Sequence, residues 1–175
     1  SAISIFIYIL FTLSAIVLTS CSSNSEKAPD VSMVNVSLHT YRFDLDFSGI
    51  DTNHIQQGLQ KLHEKYPEFL NYYLDTFMTF GMYGNYADTS RGVADSLRPY
   101  LTIKDFVGLE DTIKKYYPDS KWTDAALTEG FKYMKYYFPD YRVPRVLYIN
   151  MYLSNFTAFP WDSTTLYIRF DLILG

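Results

Sequence analysis

The sequence contains few of the residues and motifs that disulfide bonding or catalysis requires. Cys21 is the single cysteine among 175 residues, which excludes a disulfide bond within the chain. There is no glycine-rich phosphate loop and no nucleophile-elbow motif around a serine. The formal net charge is −4, the pI is near 5.3, and no basic stripe is present, which argues against a nucleic-acid-binding surface.

Histidine is also scarce, and the positions of the three histidines do not predict a metal site. His54 and His63 are nine residues apart, so at about 100° per residue they lie on opposite sides of any helix that they share. His63-Glu64 begins like a zinc-protease motif, but Pro67 stands where the second histidine is required. We therefore expect both residues, and His39, to be surface or helix-border side chains, and we predict no cofactor.

Asp44 and Asp46 form an acidic pair whose spacing permits two interpretations. If the strand predicted before them continues, both side chains project to the same side and could bind a cation or act as a carboxylate pair. Aspartates at the end of a strand more commonly stabilise a turn.

The N-terminus, in contrast, carries a long apolar run. Ser1 to Ser20 contain no charged residue, and Leu18-Thr19-Ser20-Cys21 is followed by a polar segment. A leucine three positions before a cysteine, with small residues between them, resembles the bacterial lipoprotein box, in which the cysteine becomes the acylated first residue of the mature chain. A plain membrane-spanning anchor is the alternative, because the run is nearly long enough to cross a bilayer.

We therefore predict three regions. Residues 1–20 are a lipoprotein signal peptide, and residues 21–33 are the acylated Cys21, which attaches the protein to the bilayer, and a polar tether. Residues 34–175 form a single domain. The hydrophobic content of 48%, with 18% aromatic residues, is sufficient for one sizeable core.

Periodicity within this domain predicts several helices followed by strands. Helical spacing of apolar residues occurs in 55–66, 67–80, 93–100, 107–116 and 123–138, and alternation occurs in 34–43, 145–153 and 166–172. We predict an α+β fold with helices packed on a small, mainly antiparallel sheet.

The stretch from Leu127 to Asn155 is the centre of this prediction. Leu127, Phe131, Met134 and Phe138 recur at helical spacing, so we expect Phe131 and Phe138 in the core. From residue 145 onwards, apolar or aromatic side chains alternate on both faces, which predicts a strand that is covered on both sides.

Four tyrosines surround the end of this helix and the corner that follows it. They are Tyr133, Tyr136, Tyr137 and Tyr141. Such a cluster could form a binding surface, although core packing is the favoured interpretation.

Several stretches, in order, resemble a known family. They are the lipoprotein box, VNVSLHTYRFDLDF followed by IDTNHIQQGLQKLHEKYPEF, GFKYMKYYFPDYRVPRV, and the closing LYIRFDLILG. Together they are similar to the gliding motility lipoprotein GldB of Bacteroidetes, over essentially the whole mature chain. None of these stretches is a catalytic signature.

The resemblance implies a lipid-anchored protein of the cell envelope, facing the periplasm rather than the cell surface. Such a protein contributes to gliding motility through contacts with other motility or secretion proteins and is not an enzyme. The family also looks distantly like predicted zinc metallopeptidases, so the alternative is a relative whose metal-binding helix would lie beyond residue 175. Ser1 in place of an initiator Met, and the apolar end at Gly175, predict an N-terminal fragment whose domain is truncated at its C-terminus.

Overall fold

The computed structural model describes residues 27–80, 86, 92–153 and 164–173. The chain divides into two compact units, Ser1–Ser32 and Met33–Gly175. In the first unit, Oδ1 of Asp30 accepts a hydrogen bond of 2.9 Å from the backbone N–H of Ser32. The predicted signal peptide and Cys21 lie outside the described residues, and all the elements below belong to the second unit.

Helices make up more than half of the described residues of the second unit. In the described residues the α-helices are α1 (Phe43–Ser48), α2 (Ile55–Lys65), α3 (Pro67–Tyr72), α4 (Val93–Thr102), α5 (Lys104–Tyr116) and α6 (Lys121–Tyr137). A π-helical segment, Tyr73–Phe77, continues α3. Pro67 occupies the first position of α3, where the missing N–H has no intrahelical partner to lose. Among the residues that the structure describes, no helix is both long enough and apolar enough to cross a bilayer.

The strands of the described residues form one three-stranded sheet in the order β1-β2-β3. They are β1 (Thr40–Arg42), β2 (Arg145–Ile149) and β3 (Thr165–Arg169). Both pairs are parallel, with Thr40 opposite Val146 and Arg145 opposite Thr165. The predicted antiparallel sheet is therefore wrong. Parallel neighbours require long crossover connections, and all six α-helices named above, α1 to α6, lie within the connection between β1 and β2.

The central strand is buried on both faces, as the sequence predicts. Leu147 and Ile149 belong to a large hydrophobic cluster built mainly by α1 to α4, whereas Val146 and Tyr148 belong to a smaller cluster with Phe170. Strands covered on both sides are typical of parallel sheets, because crossover connections place helices on the faces of such sheets.

The two outer strands are shorter than predicted. β1 stops at Arg42, and α1 begins at Phe43 because Phe43 and Phe47, one helical turn apart, are both buried in the large cluster. The predicted strand over 166–172 ends at Arg169 and continues as a 3₁₀ turn, Phe170–Leu172.

Helix α6 contacts the sheet through residues of its N-terminal half. The Tyr148 hydroxyl donates a hydrogen bond of 2.6 Å to Asp124, and Leu127 packs against the smaller cluster. Phe131 is buried, which confirms its predicted place in the core. Phe138 is 60% exposed, so its predicted place in the core is wrong. The apolar side chains at helical spacing continue along α6 past the part of the helix that is buried against other elements.

Candidate functional site

Buried polar side chains follow every strand of the sheet at its carboxyl edge. Asp44 follows β1, Asn150 follows β2 and Asp171 follows β3, and Glu110 reaches the same network from α5. All four residues are at most 4% exposed. The carboxyl ends of parallel strands meet at one edge, where ligands bind in many α/β proteins.

An arginine neutralises Asp44 at this edge. Arg42 donates two hydrogen bonds to the Asp44 carboxylate, of 2.8 Å from Nε and 2.7 Å from Nη2. Its Nη1 donates to the backbone oxygen of Tyr117 at 3.0 Å, and its guanidinium lies 4.7 Å from the ring centre of Phe170. Burial nevertheless raises the pKa of Asp44, against the lowering effect of Arg42.

Asp44 and Asp46 do not form the cation site or carboxylate pair that the sequence permits. They lie on α1 rather than on a strand, two residues apart, and therefore on different sides of the helix. Asp46 accepts hydrogen bonds of 2.6 Å from Lys65 Nζ and 2.5 Å from the Tyr66 hydroxyl.

A second arginine neutralises Asp171. Arg169 Nη2 lies 2.6 Å from Asp171 Oδ2, and the side chains are 9% and 0% exposed respectively. Asp171 Oδ2 also accepts a hydrogen bond of 2.9 Å from the backbone N–H of Leu153. The Asp171 carboxylate thus holds the backbone that follows β2.

Asn150, at the end of β2, forms three hydrogen bonds with other residues near the carboxyl edge. Its Nδ2 donates to Glu110 Oε1 at 2.6 Å, its Oδ1 accepts from the Tyr152 N–H at 2.8 Å, and its backbone oxygen accepts from the Tyr73 hydroxyl at 2.6 Å. Tyr152 and Leu153 have φ values of 52° and 59°, a left-handed conformation that costs roughly 1–3 kcal/mol per residue outside glycine. The polar network therefore stabilises a strained turn.

Glu110 is only half satisfied in this network. Its Oε2 and the Tyr152 hydroxyl are buried and have no hydrogen-bond partner among the described residues. Burial raises the pKa of Glu110, and the hydrogen bond from Asn150 opposes that shift. Burial and the neighbouring charge of Glu110 both raise the pKa of Tyr152.

The end of α6 is a second candidate site, of the opposite character. Met134, Tyr136, Tyr137 and Phe138 are all exposed, and we call them the aromatic tip. Met134, Tyr137 and Phe138 are neighbours at i, i+3 and i+4, and the Tyr136 and Tyr137 rings meet at 5.1 Å and 89°.

The two other tyrosines of the predicted cluster behave differently. Tyr133 and Tyr141 are half-buried, and the Tyr141 ring stacks on Phe131 at 6.0 Å. Core packing, the favoured interpretation of the cluster, is therefore wrong for Tyr136 and Tyr137.

The histidines lie at surface or border positions, as predicted. His39 and His54 are exposed and His63 is half-buried. His54 Nδ1 lies 2.7 Å from Asp51 Oδ2, and the His63 ring meets Tyr86 at 5.7 Å. Across the described parts of the chain, no three His, Cys, Asp or Glu side chains are grouped so that they could hold a metal ion.

Comparison with protein families places this geometry in a biological context. Residues 24–175 match the family described as gliding motility protein GldB. The chain belongs to the GldB family. Membership makes it a gliding motility-related lipoprotein and a membrane-anchored protein of the cell envelope. No curated protein and no solved structure was found to match the chain. The alternative of a GldB relative with zinc metallopeptidase activity stays a prediction.

Sequence reasoning missed Glu110, Asn150 and Asp171. A signal for two of them exists, because Asn150 and Asp171 each follow an apolar strand closely, where a parallel sheet would place them at one edge. Glu110 carries no such signal, since it lies among charged residues on an amphipathic helix.

Proposed function

We propose that this protein is anchored by acyl chains on Cys21, faces the periplasm, and acts in gliding motility by binding another motility or secretion protein with its aromatic tip. Contact rather than catalysis is its activity. The observation that supports this proposal is the exposure of the tip, where Tyr137 and Phe138 are each 60% exposed.

The exposed rings represent a substantial unused driving force for association. Burial of roughly 100 Å² of each ring, at about 25 cal/mol per Å², would stabilise a complex by about 2–3 kcal/mol per ring before the cost of association is subtracted. Tyrosine, phenylalanine and methionine are also enriched at the centres of protein interfaces.

The shape of the tip favours a protein groove over a flat bilayer. The Tyr136 and Tyr137 rings are perpendicular, and Phe138 follows at the end of α6, so apolar surface faces several directions. A groove can enclose such a knob, whereas a membrane surface contacts one side. Residues 131–145 contain four basic residues and one acidic residue, so an apolar groove with an acidic rim is the complementary surface.

Site-specific photo-crosslinking in gliding cells tests the tip. A photoreactive phenylalanine analogue replaces Tyr137, and the matched control replaces Tyr116, which is 65% exposed at the end of α5. We expect one motility or secretion protein to be captured at residue 137 and not at 116. Lipid adducts at 137, or the same proteins at both positions, would contradict the proposal.

Gliding speed provides an independent measurement. The double change Tyr137→Ser and Phe138→Ser should abolish gliding, and it should abolish the crosslink formed by a photoreactive analogue that replaces Tyr136. The melting temperature of the double variant should change no more than is usual for a substitution at the protein surface. Tyr116→Ser is the control and should glide normally. Normal gliding of the double variant would refute a role for the tip.

Lipidation is tested separately at Cys21. Each buried methylene contributes about 0.8 kcal/mol, so more than one acyl chain holds a folded domain stably at a membrane. Cys21→Ala should remain unprocessed and should not incorporate a fatty-acid probe, whereas Ser25→Ala should be labelled like the natural chain. Continued labelling of Cys21→Ala would disprove the assignment.

The periplasmic orientation is tested with protease on intact cells. The domain should resist digestion until the outer membrane is permeabilised. Digestion on intact cells would instead place the protein at the cell surface.

A further inference from the structure

An exposed tryptophan lies at the start of α6, at the opposite end of the helix from the aromatic tip. Trp122 is 56% exposed, and its ring lies 6.3 Å from the Tyr117 ring, with the two ring planes tilted by 32°. The Tyr117 hydroxyl donates to the backbone oxygen of Ile173 at 3.1 Å. Ile173 is 36% exposed, and Leu172 beside it is 62% exposed. We call these four residues the Trp122 face.

The charges beside this face are mainly positive. Segment 114–122 contains three lysines and one acidic residue, Asp119, in a chain whose formal net charge is −4. The lysines lie in the last turn of α5 and at the first residue of α6, where the Lys121 side chain is 87% exposed. Asp171, which precedes Leu172, is buried in an ion pair. Tryptophan and tyrosine rings beside lysines are typical of surfaces that lie at the headgroups of an anionic bilayer.

The chain that follows the proposed lipid anchor joins the fold beside the same face. Residues 22–32 alone lie between Cys21 and the second unit, which limits their separation to about 45 Å of extended chain. Leu38 packs in the same hydrophobic cluster as Tyr117. The Thr40 hydroxyl donates to Asp124 Oδ2, in the first turn of α6, at 3.4 Å. The anchored chain therefore enters the domain next to the N-terminal end of α6.

We propose that the Trp122 face docks on the anionic surface of the bilayer that holds the anchor, so that α6 directs the aromatic tip away from the membrane. The anchor makes this docking intramolecular, so a weak attraction is sufficient. From Trp122 to Tyr137, α6 extends about 22 Å, which separates the membrane contact from the protein contact. The inference rests on the anchor of the proposed function, but not on the identity of the protein that the tip binds.

The two rings of this face also suit a flat surface. A tilt of 32° between Trp122 and Tyr117 lets one surface cover both rings, whereas the perpendicular rings of Tyr136 and Tyr137 at the tip do not share a plane. The two ends of α6 therefore differ in the shape of the partner that each can accept.

Quenching of tryptophan fluorescence by brominated lipids tests the proposal. Trp161→Phe leaves Trp122 as the single tryptophan, and the acylated chain is reconstituted into phosphatidylcholine vesicles with or without anionic phosphatidylglycerol. We expect a docking equilibrium at least about fivefold more favourable on the anionic vesicles, because each lysine near an anionic surface contributes about that factor. High salt should reduce the quenching. No quenching of Trp122, or equal quenching on both kinds of vesicle, would overturn the proposal.

Lysine variants locate the contact. The double change Lys115→Gln and Lys121→Gln should weaken docking on anionic vesicles at least about fivefold. Lys61→Gln with Lys104→Gln is the matched control, because it removes the same charge from exposed positions of α2 and α5 and should leave the quenching unchanged. Asp119→Asn should strengthen docking, since it removes the acidic residue of the segment. Undiminished quenching in the first double variant would refute the Trp122 face as the contact.

A tryptophan placed at the tip measures the orientation. Trp122→Tyr keeps an aromatic ring that suits the membrane interface, and Tyr137→Trp moves the probe to the other end of α6. We expect little quenching at residue 137 in anionic vesicles, and quenching as strong as that of Trp122 would contradict the orientation. Flotation of the vesicles separates the two proposals. A chain that does not float with them contradicts the lipid anchor and the docking together, whereas a chain that floats without quenching of Trp122 contradicts the docking alone.

Discussion

The carboxyl edge of the sheet and the aromatic tip depart from the usual distribution of side chains in opposite directions. At the edge, the carboxyl groups of Asp44, Glu110 and Asp171 are buried, whereas at the tip Tyr137 and Phe138 are exposed. The edge supplies its own partners, because arginines and Asn150 neutralise or bond the carboxyl groups. At the tip, Tyr137 and Phe138 are each 60% exposed, so most of the surface of their rings is available to another molecule. A buried polar cluster thus indicates internal organisation, and an exposed apolar cluster indicates an external contact.

Removal of a partner from the edge should produce the largest effect. Arg169→Met leaves the Asp171 carboxylate, which is 0% exposed, without its cation. Loss of one member of a buried ion pair typically costs about 3–5 kcal/mol in the free energy of unfolding. Urea denaturation should show this loss.

The control for Arg169→Met is an exposed ion pair. Lys121 Nζ lies 2.9 Å from Asp119 Oδ2, with side chains 87% and 52% exposed. Lys121→Met should shift the midpoint of urea denaturation far less than Arg169→Met does, because water already screens the exposed pair. Equal losses of stability in the two variants would mean that burial at the carboxyl edge does not strengthen the Arg169–Asp171 ion pair.

A comparison along α6 should give the next effect. Phe131→Ala removes a buried ring, and such changes cost about 3 kcal/mol or more in packed interiors. Phe138→Ala removes a ring that is 60% exposed and should stay within about 0.5 kcal/mol of the natural chain. Thermal unfolding of both variants measures the difference, and a Phe138→Ala protein as unstable as Phe131→Ala would place the tip in the core.

The smallest expected effect is a difference in pH dependence. Burial raises the pKa of Glu110 above its ordinary value of 4.5, so the folded state retains a proton that the unfolded chain has lost. The Glu110 contribution to stability is therefore fully present below pH 4.5 and decreases as the pH rises through the raised pKa. Glu110→Gln should gain stability relative to the natural chain as the pH rises through this window.

Asp119 provides a control of opposite sign. Hydrogen bonds from Lys121 lower the pKa of this exposed carboxyl group, so its contribution is present above the ordinary value of 3.8 and is lost as the pH falls. Asp119→Asn should therefore lose stability relative to the natural chain as the pH rises. Melting temperatures from pH 3 to pH 8 compare the two variants, and slopes of the same sign would contradict this assignment.

Much of the fold can be predicted from the sequence where one periodicity dominates a segment. The helical spacing of Ile55, Leu59 and Leu62 predicts the buried face of α2, and apolar residues on both faces of 145–149 predict a buried strand. The predicted direction of the strands was wrong, because the alternation of apolar residues does not indicate whether neighbouring strands run parallel or antiparallel. The burial of both faces of β2 was the available signal, since strands covered on both sides are typical of parallel sheets.

The boundary between core and surface on α6 could not be predicted in the same way. Phe131 and Phe138 have the same helical spacing, yet only Phe131 is buried, because the extent of the layer beneath α6 depends on elements distant in sequence. Glu110 poses the same problem: its burial results from Asn150 and Tyr152, which are brought to α5 only by the complete sheet. Local sequence patterns determine which face of a helix is buried, but they do not determine how many turns of that face other elements cover.

The parallel pairing of β1 and β2 also has a consequence for the order of folding. Thr40 lies opposite Val146, so the pairing of β1 with β2 closes a loop of roughly one hundred residues, whereas the pairing of β2 with β3 closes one of about twenty; the longer closure is entropically more costly and slower. The helices between these strands involve local contacts and can form while β1 is still unpaired. A chain that emerges from its N-terminus must therefore keep Thr40–Arg42 available until β2 has followed, and the sheet that positions the Glu110 network is completed last.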